Sequence, residues 1–267
     1  MKKGALITFI LLVFIIIWFW QPLRSIVVMS VYSEIHEKDS IMAKNGFDIE
    51  IPGGFSTIER DWYPFVMTFN ADGYMARDGL VNGMTILYNF PAFNPLTRTN
   101  IFYEPDSPYN SSFYGAYVIE SVGITPYCYM DDGSPDYAEV MHAFKYDYVN
   151  LVLESLGDKE FEFVVRQFTG RETDFISYSG WTMVNAVLDT NSVTHVYEES
   201  KRSYLQYGRP TGRTNNSFAE QQMHGRLYMR FFPEYDSTVI FYILAKERSL
   251  INECDDKILS KSILSAN

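Results

Sequence analysis

The sequence predicts an α+β protein: an N-terminal transmembrane helix followed by an antiparallel β-sheet domain flanked by helices, an α/β sandwich. Three observations carry this prediction. Residues 4 to 20, GALITFILLVFIIIWFW, run without a charge behind Lys2 and Lys3. From Gly46 onward, short aromatic and β-branched runs alternate with polar residues and are parted by Gly, Asn, Asp and Pro, the pattern of antiparallel strands joined by turns. Two stretches, beginning at Ser134 and Ser249, replace that period of two with helical spacing.

The first segment decides the compartment. Seventeen helical residues at about 1.5 Å each reach roughly 25 Å, the short end of a membrane span, and Trp18 and Trp20 lie where interfacial aromatics sit. Lys2, Lys3 and the amino terminus outweigh Arg24, which keeps the N-terminus in the cytoplasm. No polar face interrupts the run, so it makes a poor helix for a soluble core. A cleaved signal peptide is the competing reading, with Val28-Met29-Ser30 as the cleavage site, but its apolar core would exceed the usual ~7–15 residues. No cysteine adjoins the segment to carry a lipid. The chain therefore divides into a cytoplasmic tip and signal anchor (1–24), a helical stalk (25–45) and an extracytoplasmic domain (46–267), single-pass in a bacterial inner membrane with the domain in the periplasm.

Charge limits the partners. The chain holds 22 basic and 33 acidic residues; with Lys2, Lys3 and Arg24 set aside, nineteen bases face 33 acids and the remainder carries −14. Such a domain repels phosphate backbones and anionic membrane surfaces, which argues against nucleic acid. The acidity is either ordinary solvated surface or a match for a basic protein partner. Twenty Tyr and twenty Phe supply too much ring surface for a disordered acidic tail, so the domain folds. Cys128 and Cys254 are too few for a disulfide-built scaffold. In an oxidising compartment they either pair, closing a long loop at a gain of roughly 3–5 kcal/mol, or remain two unrelated buried thiols.

Taken in order, residues 25–45 form a stalk whose hydrophobic face, with Ile35 and Met42, can also pack on the domain. GFDIEIPGGF sets Phe47, Ile49 and Ile51 against Asp48 and Glu50, a strand with one wet face ended by Pro52-Gly53-Gly54. Runs starting at Trp62 and Met84 are antiparallel strands separated by turn residues. Residues 91–112 form a long surface loop, followed by the strand SFYGAYVIESVGI. At Ser134-Pro135-Asp136 a helix begins, with Ser134 as cap, Pro135 at the first helical position and Asp136 favouring the dipole, and it ends near Lys145. Tyr148 to Leu156 extends it after a break. EFEFVVRQF is a strand, FISYSGWTMVNAVLD bends around Ser179-Gly180, and 194–216 is a loop. GRLYMRFF and TVIFYILA form a hairpin about Pro233–Ser237, and SLINECDDKILSKSI is a C-terminal helix capped by Ser249, with Ile251, Cys254 and Ile258 on one face.

GFDIEIPGGF at the start of the domain and the strand–strand–helix ending, with ECDDKILSKSI as its helix, resemble PsbP-like domains and their DcrB-like relatives among bacterial envelope lipoproteins. The resemblance covers about a quarter of the domain. It implies an antiparallel sheet flanked by helices and a cell-envelope location, and it carries over no site residue. The missing lipidated cysteine and the loop at 91–112 depart from that pattern.

No stretch carries a recognisable catalytic or cofactor motif. None of His36, His142, His195 and His224 has the i, i+4 histidine and intervening glutamate of a helical zinc site. Glu139-Val140-Met141-His142 is one Glu-x-x-His unit where a di-iron bundle needs two. Asp131-Asp132-Gly133 with Asp136 and Glu139 is an acidic turn that does not match the twelve-residue Ca²⁺ loop. The glycine-flanked serine elbow and the phosphate-binding glycine loop are both lacking. No cofactor is expected. Asn110-Ser111-Ser112 and Asn215-Asn216-Ser217 match glycosylation sequons.

Three functional readings follow. The first is a membrane-anchored extracytoplasmic protein-binding domain, in its concrete form an immunity protein neutralising a secreted toxin. Its binding loop is expected at Tyr103, Glu104, Asp106 and Tyr109, because loops on a rigid sheet carry recognition more often than the sheet does. The others are a structural or assembly subunit of an envelope complex and a hydrolase with an unrecognised site.

Overall fold

The residues STVIFYILA, Ser237–Ala245, are buried without exception, and the sheet is built around them. A computed structural model describes residues 3–18, 31, 35, 38, 40–52, 65–70, 81–89, 93–94, 99–100, 106–121, 125–145, 148–149, 162–192 and 219–266. In chain order the strands are β1 (Phe47–Glu50), β2 (Phe65–Asn70), β3 (Val81–Asn89), β4 (Phe93–Asn94), β5 (Thr99–Asn100), β6 (Phe113–Ser121), β7 (Phe163–Phe175), β8 (Tyr178–Asn191), β9 (Glu220–Phe232), β10 (Ser237–Ala245) and β11 (Ile263–Ala266). The helices are α1 (Lys3–Trp18), α2 (Ile41–Lys44), α3 (Tyr137–Lys145) and α4 (Arg248–Lys257).

Seven strands make one antiparallel sheet in the order β2-β3-β6-β10-β9-β8-β7. A strand covered on both faces reads as a continuous apolar run, and this is why β10 at the centre and its neighbour β6 lack polar alternation. Alternate residues of β10 face opposite layers. Val239, Phe241, Ile243 and Ala245 join Phe175, Trp181, Tyr228 and Phe232 under α2, α4 and the small β1–β11 sheet. On the opposite face, Tyr242 meets Phe144 of α3, stacks on Tyr117 at 4.6 Å and lies near Phe113, which stacks on Tyr148. Each fully buried ring contributes on the order of 2–3 kcal/mol. Gly225 lets α3 approach this closely, since a Cβ there would stand 3.3 Å from Phe144 Cζ.

The α+β class, the antiparallel sheet and the flanking helices are as predicted, and several local readings change. The helix at 137–145 is capped by Asp136, not Ser134. Asp136 Oδ1 accepts from the amides of Ala138 and Glu139, while Ser134 donates to Asp132. A carboxylate two or three residues before those amides is the better acceptor for the helix start. The β7–β8 connection turns at Ile176-Ser177, three residues before the expected bend, because Phe175 pairs with Tyr178. Ser249 does not cap α4. Its hydroxyl donates to Glu247, which is the N-cap residue and makes no side-chain cap bond. The helix stops at Lys257, and Ile263–Ala266 forms β11 against β1 where the sequence suggested only a helix end.

Met42 is buried in the core, as the alternative reading of the stalk allowed, and Ser40 caps its short helix by accepting from Ala43 N at 3.1 Å. Ile35 is exposed. The loop at 91–112 contains the short β4–β5 pair. The predicted cleavage site at 28–30, most of the extension from Tyr148 to Leu156, and the loop at 194–216 lie outside the described residues.

Helix α1 spans 16 residues, and every residue from Gly4 to Ile17 is exposed. No helix among the described residues is long and apolar enough to cross a membrane.

Candidate functional site

Of the four residues expected in a binding loop, Tyr103 and Glu104 lie outside the described residues. Asp106 is exposed. Tyr109 is half-buried and packs against the core under α4, with its amide donating to Ser107 Oγ at 3.1 Å. The structure therefore separates their roles: Asp106 faces solvent, and Tyr109 fastens the loop to the sheet. The sequon at Asn110 is closed, since Asn110, Ser111 and Ser112 are buried.

The two cysteines do not pair. Both Cys128 and Cys254 are buried free thiols. Cys254 lies on α4 in the core of one sheet face. Cys128 belongs to the segment on the other face, where Tyr127 O accepts from Thr238 Oγ1 at 2.8 Å. The sheet itself stands between them.

The glutamate of the Glu-x-x-His unit on α3 is used structurally. Glu139 Oε2 accepts from the amide of Cys128 at 2.7 Å, and thus satisfies a buried backbone donor at a residue held at φ 69°. Burial raises the Glu139 pKa and Asp136 adds to the rise, while the Cys128 amide opposes them. Asp131 accepts from Thr125 Oγ1 at 2.6 Å, and Asp132 holds Ser134. No group of three or more His, Cys, Asp or Glu suited to a metal ion occurs among the described residues.

What the sequence did not announce is a polar network beneath α4. Arg226 on β9 donates from Nε to Asn185 Oδ1 (2.8 Å), from Nη1 to Asp255 Oδ2 (2.6 Å) and from Nη2 to Asn252 Oδ1 (3.0 Å). Tyr228 OH donates to the same Asp255 oxygen at 2.6 Å. Burial first, then the Asp255 carboxylate, push the Tyr228 phenol well above its ordinary pKa, so it is a fixed donor and not a base. Both side chains of the Arg226–Asp255 pair are only 13% exposed, which makes the pair a rigid strut whose breakage would leave a buried charge.

Beside this strut a cleft of about 120 Å³ opens between β7, β8, β9 and the start of α4. Gln167, Thr169, Asn185, His224, Arg226 and Arg248 line it. Burial, and after it the charge of Arg248, hold His224 below the ordinary imidazole pKa. The cross-strand register explains the convergence: Thr169 lies opposite Asn185, Asn185 opposite Arg226, and Val187 opposite His224, all on the face that carries α4. His224-Gly-Arg226 places two bases two residues apart on a strand, hence on one face, and this was the signal available in the sequence.

A second feature lies further along the same face. Arg230 sits over the rings of Tyr178 and Phe232, at 4.9 and 4.5 Å from their centroids, and its buried Nη1 has no hydrogen-bond partner among the described residues. The indole Nε1 of Trp181, whose ring centroid is 6.3 Å from that of Phe232, likewise has none among those residues. The neighbouring turn is strained, with Ile176 at φ 39° and Ser177 at φ 69°.

Comparison with family models, with curated proteins and with solved structures gives no match.

Proposed function

We propose that the protein is a membrane-anchored extracytoplasmic protein-binding domain, held by the charge-free run at 4–20, to which most of α1 belongs, with its N-terminus in the cytoplasm. The observation that carries this reading is the exposure of α1. Phe9, Ile10, Leu11 and Leu12, which step about 100° apiece around the helix, are 63, 56, 58 and 54% exposed. Apolar surface on all sides of a helix suits lipid and is costly in water. Thr8 is the one polar side chain from Gly4 to Ile17, and its hydroxyl donates to Gly4 O at 3.1 Å, which leaves no unmet side-chain donor between those two residues. The resemblance to envelope domains supports the same location. The acidic domain then meets a basic protein through the loop at 91–112, with Asp106 outward and Tyr109 as inner anchor; neutralisation of a secreted toxin is the concrete form.

The test is made on native membranes. The full-length protein should resist carbonate and high salt, yield to detergent, lose residues 46–267 to protease added from outside, and retain one protein at a fixed ratio on affinity capture. Release by carbonate would remove the anchor. Retention in the membrane without a stoichiometric protein would keep the anchor and remove the binding role.

A further inference from the structure

The cleft beside α4 carries a ligand assignment that does not depend on the membrane reading. All six polar residues that line it offer N–H or O–H donors. Two are fixed in place: Arg226 is held by three acceptors, and Asn185, with Oδ1 accepting from Arg226, has N–H donors to offer the cleft. The nearby acids are committed to neighbours, although Asp255 Oδ1 has no hydrogen-bond partner among the described residues. Asp255 Oδ2 serves Arg226 and Tyr228, and Glu247 accepts from Ser249 Oγ at 3.2 Å. Arg248 has no ion-pair partner among the described residues. In a chain of net charge −11, this cleft therefore gathers donors and a cation without an ion-pair partner among the described residues.

We propose that the cleft binds a small oxyanion, received by the Arg248 guanidinium, the His224 ring and the Asn185 and Gln167 amides. Size sets the class. At about 120 Å³ the space has room for a small anionic group such as a phosphate or a short carboxylate. A bound anion offsets the Arg248 charge that disfavours the imidazolium, so binding and protonation of His224 reinforce one another.

The full-length protein in detergent is titrated with inorganic phosphate, and in a second arm with acetate, replacing chloride at constant ionic strength. The His224 ring signal, identified by its loss in His224→Gln, is followed by NMR. The expected result is a saturable shift of that signal, with the His224 titration midpoint moving to higher pH when the site is filled. Arg248→Gln should weaken saturation at least tenfold at an unchanged melting temperature in chloride, and Arg248→Lys should retain most of it. Saturation by acetate alone assigns a carboxylate, by phosphate alone a phosphate, and by both a general oxyanion site. A shift that rises linearly with both anions, or saturates equally in Arg248→Gln, overturns the proposal.

Discussion

Ser177 occupies a conformation that costs an L-residue about 1–2 kcal/mol, and with Ile176 it fills a two-residue turn ordinarily given to Asn-Gly. Ser177 is exposed, so nothing in packing compensates for it. Ser177→Gly should therefore raise the unfolding free energy by up to about 1 kcal/mol in urea titration. Ile176→Gly should gain less or lose, because the Ile176 side chain packs on the core. His224 sets a second residue-scale expectation. Its folded pKa is lowered from 6.5 by burial and then by Arg248, so the folded state prefers the neutral ring. The resulting stability is present above pH 6.5 and is lost as pH falls through the lower folded value. Urea midpoints measured from pH 7 downward should fall less steeply in His224→Gln than in the wild type; equal slopes would show that His224 does not drive the loss.

At the scale of elements, β1 and β11 close the domain by joining its first strand to its last. Leu264 is buried against the core that also holds Phe47 and Ile49. Leu264→Ala should cost about 2–4 kcal/mol by chemical denaturation, the range for a buried leucine that leaves a cavity. A cost under 1 kcal/mol would mean that the β1–β11 sheet frays freely from the rest. This pair also marks how far the sequence could be read. Phe47, Ile49 and Ile51 revealed a strand by their alternation, yet period two names a strand and not its neighbour, and the partner lay at the far end of the chain. Ile263–Ala266 is too short to show a period and followed a helix whose spacing ran into it. The hairpin at 233–237 was legible because both strands and the turn are local, and β10 and β6 were legible as apolar runs. The cleft was not, because Gln167, Asn185, His224 and Arg248 come from four elements, and sheet register alone brings them together.

For the whole molecule, the sheet is also a partition. Its two covering layers lie on opposite faces, each packed at roughly 10 Å, whereas a disulfide needs its Cα atoms within about 6.8 Å. Cys254 under α4 and Cys128 on the α3 face therefore cannot meet without unfolding, whatever the redox state of the compartment. Neither is poised to react alone. Cys128 is fully buried, and burial first, then the charges of Glu139 and Asp136, push its thiol pKa up, which suppresses the reactive thiolate. The stability of the domain must then come from its aromatic core and not from a cross-link. Two measurements follow from this single geometry. The native protein should take up no thiol reagent at neutral pH and two equivalents once unfolded, and its melting temperature should be the same with and without reductant. A mass two hydrogens lower before reduction, or a melting temperature that drops with reductant, would place the cysteines on one face and contradict the layer order itself, because no movement short of opening the sheet brings them together.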